Sequence, residues 1–141
     1  MNSIVRNIIV IIVGILVGGF INMKLIGIGP SIIPPPEGVE MTTPKGLLEG
    51  ILLLKPKNFI FPFLGHALGT LVGAFIVAKF VESNKFNFAL LVGGFFLLGG
   101  ITMVVMVGGP LWFNVLDLVG AYFPMAWLGH KLACNVSNTN A

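Results

Sequence analysis

Charge is what this chain has least of. Only 9% of its 141 residues are Asp, Glu, Lys or Arg, against about 25% in an ordinary soluble domain. Too little polar material is present to cover a water-facing exterior, so a soluble globular protein is excluded. Disorder is excluded by the same arithmetic, because disordered segments are charged and poor in apolar residues. A single cysteine leaves no disulfide scaffold. No nucleophile elbow, phosphate loop, zinc-protease helix or dinucleotide fingerprint occurs, so neither an enzyme nor a cofactor is expected. His130 and Cys134 are spaced i, i+4, but two ligands without a third make no closed metal site, and none is expected. The net charge of +3 comes from bases at the boundaries of apolar runs. There they meet lipid headgroups, and nucleic acid is not needed to explain them.

What is present is apolar: 56% of residues are hydrophobic, 19 are glycine, and mean hydropathy is +1.01. The expected fold is all-α, a four-transmembrane-helix bundle in one integral membrane domain, residues 1–134. The spans fall at about 4–26, 59–78, 86–107 and 111–133, each near the roughly 20 residues that cross a hydrocarbon core. The first run resembles a signal peptide, yet no small-x-small site follows it, so it is read as a retained helix. Gly108, Gly109 and Pro110 form a tight turn that makes the third and fourth spans antiparallel neighbours. Residues 135–141 read as a polar tail that frays.

The long connection, 27–58, is different. Pro30, Pro34, Pro35, Pro36 and Pro44 forbid a regular helix through its first half. Thr43 and Pro44 then look like an N-cap followed by proline at the first helical position. The following 11 residues predict an amphipathic helix lying flat on the membrane surface and ending near Lys55. Basic residues tie across the two sides: Arg6, Lys79, Lys85 and Lys131 against Lys24, Lys45, Lys55 and Lys57. The free amino terminus and loop length tilt the expectation toward both termini in the cytoplasm. Trp112 and Trp127 suit anchoring at the two interfaces.

Gly65, Gly69 and Gly73 recur every four residues along the second span, and Gly14 and Gly18 repeat the spacing in the first. Such stripes let helix backbones approach closely, either within one bundle or across a homo-oligomer or larger membrane complex. A Leu-Val-Gly-Gly-Phe pentapeptide at Leu16 to Phe20 and Leu91 to Phe95, with looser copies ending at Phe75 and Tyr122, could mark a duplication. A chain so rich in these residues generates such matches by chance.

Ionisable groups inside a span need a partner or a purpose. Two are clear, His66 in the second span and Asp117 in the fourth. Counting about 1.5 Å per residue puts both roughly 9–11 Å below the same face, so they could meet. Thr70, Asn114, Thr102, Asn22 and Lys24 fall in the same outer half, which predicts a polar layer fed by all four spans. Either a His66–Asp117 bond fixes helix register, or a polar pocket binds a solute or relays a proton.

Three stretches, Pro34 to Val39, His66 to Ala74 and Pro124 to Gly129, resemble those of an uncharacterised group of small four-helix bacterial inner-membrane proteins. The resemblance covers most of the chain, implies a bacterial inner-membrane location, and carries no catalytic residue over. Small multidrug exporters also have four helices but use a glutamate in the first, which is absent here. The function expected is a non-enzymatic accessory or scaffold subunit in the lipid bilayer. The alternative is a small solute transporter or proton-coupled carrier working through His66 and Asp117.

Overall fold

The computed structural model describes the backbone of residues 2–139 and the side chains of residues 2–136. It is an all-α bundle, with no strand among the described residues. Four helical segments, Ser3–Ile32, Pro56–Phe80, Lys85–Met106 and Leu111–Val136, are long and apolar enough to cross a membrane. The outside matches: Val105 is 80% exposed, Leu111 77% and Met23 73%, a surface that only lipid tails solvate without cost. The chain is a membrane protein.

The first helix, α1 (Ser3–Ile32), starts on an Asn2 cap whose side chain accepts from the Ile4 amide at 3.1 Å. It runs six residues past the predicted end, straight through Pro30. Proline removes one amide there, that which would bond the Ile26 carbonyl, and only two residues of helix remain beyond it. Buried Gly29, which packs on Phe61, seats this last turn against the second span.

The second span is introduced by a 3-10 turn (Pro56–Phe59) and continues as α3 (Ile60–Phe80). This helix is the centre of the bundle, packed by α1, by α4 (Lys85–Met106) and by the last helix, α6 (Phe123–Thr139). The glycine stripes explain its closeness to α1. A Cβ on Gly69 would stand 2.6 Å from the Gly18 carbonyl oxygen, and one on Gly73 2.8 Å from that of Gly14. Both are inside van der Waals contact, so the stripes are consumed within the chain. Around α3 the core is made of small side chains, Ala74, Val77, Ala78, Ala89, Val92 and Ala126, which keeps backbones near one another across the bundle.

The fourth span is broken. α5 (Leu111–Gly120) ends at Gly120 and α6 restarts at Phe123. Pro124 has no amide to give the Gly120 carbonyl, so the helix turns at Ala121 and Tyr122 and resumes when the Ala126 amide reaches the Tyr122 carbonyl at 2.8 Å. The turn before α5 needs φ of 83° at Gly108 and 119° at Gly109, values open to glycine at little cost. Beyond Ala133, where the sequence predicted a polar tail, α6 continues to Thr139, and residues 140–141 lie outside the described ones.

In the connection, Thr43 caps α2 (Pro44–Gly50) by accepting from the Gly46 amide at 3.0 Å, with Pro44 at its first position. The α-helix is shorter than the 11 residues predicted, because Ile51–Leu53 tighten into a 3-10 turn. Asn58 staples the connection in place, donating to the carbonyls of Ile33 at 3.2 Å and Pro34 at 3.0 Å while accepting from the Lys55 amide. At the opposite end of the bundle, Arg6 and Glu82 form an ion pair at 2.7 Å.

Candidate functional site

His66 and Asp117 meet. The imidazole Nδ1 lies 2.8 Å from one carboxylate oxygen and 2.9 Å from the other, joining the second span to the fourth across 51 residues of sequence. Asp117 is 3% exposed, so the carboxylate is removed from solvent, while His66 is partly buried. Breaking such a buried pair by removing one partner costs about 3–5 kcal/mol, because a charge is left uncompensated.

A third member completes the group. The Tyr122 hydroxyl donates to Oδ2 of Asp117 at 3.0 Å, and its ring stacks on that of His66 with centroids 5.8 Å apart. Sequence reasoning missed it, since Tyr122 read as the aromatic end of a loose repeat. The signal was Pro124: a break two residues earlier turns Tyr122 back toward Asp117. Buried against Tyr122 is Gly100 of α4, where any Cβ would overlap the hydroxyl.

The remaining predicted residues divide. Asn114 stands at the site and donates to the Gly109 carbonyl at 3.3 Å. Thr70 is fully buried one turn along α3, and its Oγ1 finds no partner among the described residues. Asn22 lies in the seam between α1 and α3 against Gly65 and Gly69, with a buried, unpartnered Oδ1. Thr102 is not part of the group: it is exposed, and its hydroxyl bonds back to Leu98 of its own helix at 2.8 Å. Lys24 also points away, exposed, with its ammonium 5.4 Å from the Phe20 ring. The polar layer is therefore not fed by all four spans. Depth along a helix was readable from sequence, but the rotation that aims a side chain inward was not.

Above the pair lies a cavity of about 440 Å³, within the size range of small-molecule sites. His66, Asp117 and Asn114 supply polar atoms, while Ile26, Leu47, Ile51, Leu54 and Phe113 supply apolar wall. The connection roofs it, since Met41, Thr42 and Leu47 come from around α2. That roof is ordered by Glu40, which accepts from the hydroxyls and amides of Thr42 and Thr43. Those bonds, the Thr42 hydroxyl foremost, pull the Glu40 carboxyl down to about 2. At the other end of the fourth span, His130 and Cys134 approach at 3.8 Å. No group of three or more metal-ligating side chains occurs among the described residues.

Comparison with protein-family models, curated proteins and solved structures returns no match.

Proposed function

We propose that this is a solute-binding membrane protein, whose site is the cavity roofed by α2 and floored by His66 and Asp117. One observation carries the reading. The only buried carboxylate in the described part of the chain and the histidine bonded to it stand on the wall of a cavity large enough for a ligand. A pair that served helix register alone would need no such space beside it, and would pack more cheaply as two apolar side chains.

The scaffold reading drew on the glycine stripes and the aliphatic exterior, and the stripes are occupied by packing between α1 and α3. The roof is built from an amphipathic segment whose Leu47 and Ile51 face the cavity, which suits entry of an apolar solute from the membrane boundary. The bacterial inner membrane, with both termini cytoplasmic, is the setting proposed for it.

Filling the cavity tests this. Leu47→Trp adds bulk from the roof without touching the polar floor. Native mass spectrometry in detergent, with dodecane and dodecanol as probes, should show one bound molecule on the wild type and none on Leu47→Trp. Equal uptake by both would overturn the assignment.

A further inference from the structure

We infer that the cavity selects an apolar molecule carrying a hydroxyl group, which donates its hydrogen to His66 Nε2; this rests on the solute-binding reading and names its ligand class.

The argument follows the hydrogens. Asp117 takes the Tyr122 hydroxyl at Oδ2 and the imidazole Nδ1 at both oxygens. A carboxylate only accepts, so Nδ1 carries a hydrogen; in the neutral imidazole Nε2 then carries a lone pair, the form that accepts from a ligand. Nδ1 is the ring nitrogen that meets Asp117, and His66 lines the cavity, which leaves Nε2 for a ligand.

Other polar groups on the wall add acceptors. Asn114 gives one amide hydrogen to the Gly109 carbonyl and keeps the second, with Oδ1 as an acceptor. Pro30 deprives the Ile26 carbonyl of its helical donor, and both residues line the cavity. Asn58 is committed to Ile33, Pro34 and Lys55. Acceptors therefore outnumber the one amide hydrogen left on Asn114, in an apolar setting that favours a ligand bringing a donor.

Charge narrows the class further. No lysine or arginine lines the cavity, so an anionic ligand would find the Asp117 carboxylate and nothing to neutralise it. A cationic ligand would share Asp117 with His66 and Tyr122, which already engage both of its oxygens. A neutral hydroxyl on a hydrocarbon body meets neither obstacle.

The test uses the purified full-length chain in detergent and five probes of one chain length: dodecanol, its methyl ether, dodecane, dodecylamine and dodecanoate. Affinities are read from ligand-induced thermal stabilisation. Dodecanol should bind about tenfold tighter than the ether and the hydrocarbon, the worth of one hydrogen bond. That preference should vanish in His66→Phe combined with Asp117→Asn, which removes the acceptor without stranding a carboxylate. Equal binding of alcohol and ether overturns hydroxyl selection and leaves the cavity reading standing. Tightest binding of dodecylamine overturns it in favour of a cation site at Asp117. Binding of no probe overturns both readings together. If the double variant fails to fold, the five-probe series on the intact chain decides alone.

Discussion

Gly100 on α4 and Tyr122 at the break of the fourth span are fitted to each other: the glycine leaves the space in which the tyrosine hydroxyl reaches Asp117. Gly100→Ala should push the ring away and loosen that bond, at an overpacking cost of about 1–3 kcal/mol. Tyr122→Phe removes the same bond while keeping the ring, and should cost about 1.5–3 kcal/mol for a hydrogen bond to a charged group. Thermal unfolding in detergent should give both variants a lower Tm. A double variant much less destabilised than the sum of the two would show that they act on one bond.

His66→Ala should destabilise by about 3–5 kcal/mol, because Asp117 then stays buried with Tyr122 alone. Asp117→Asn keeps the shape and removes the charge, so its cost should be smaller. Reversible denaturation of each single variant and of the pair gives the coupling energy directly. Additive effects would mean that the 2.8 Å contact is not an energetic partnership.

The glycine positions separate cleanly by what surrounds them. Gly18→Leu and Gly69→Leu place side chains into a facing backbone and should force α1 off α3. Gly19→Leu and Gly94→Leu meet nothing within 4 Å and should leave the fold intact. Cross-linking of cysteine pairs placed along α1 and α3 would report the separation, with loss expected only in the first two variants.

The roof should respond to acid late. Glu40 is held at about 2, below its ordinary 4.5, so the folded state binds its proton less readily than the unfolded chain. Its stabilising contribution is present above pH 4.5 and is lost as pH falls toward 2. The amide resonances of Thr42 and Thr43 should move with a midpoint near 2, and Glu40→Gln should abolish that step. A midpoint near 4.5 would contradict the turn.

Much of this architecture was legible because a bilayer imposes length. Runs of about 20 apolar residues mark spans whatever their neighbours, and counting along them put His66 and Asp117 at one depth before either was seen beside the other. Azimuth was not legible. Thr102 and Lys24 share that depth, yet each is turned outward, Thr102 satisfied by Leu98 and Lys24 by Phe20. Proline misled in one place and was underused in another. Pro30 sits where one lost bond is tolerable and the helix ignores it, whereas Pro124 breaks a span and delivers Tyr122 to the site. The cavity itself has no sequence signature, because its walls come from α1, the connection, α3, α4 and α5.

The most direct measurement is nitrogen NMR of the protein labelled at histidine, in lipid, with His66 assigned through His66→Phe. A protonated Nδ1 and an unprotonated Nε2 are expected in the free protein, with the Nε2 resonance shifting on addition of dodecanol and staying fixed on addition of dodecane. A hydrogen on Nε2 in the free protein, or dodecanol binding that leaves His66 unmoved, would contradict the site.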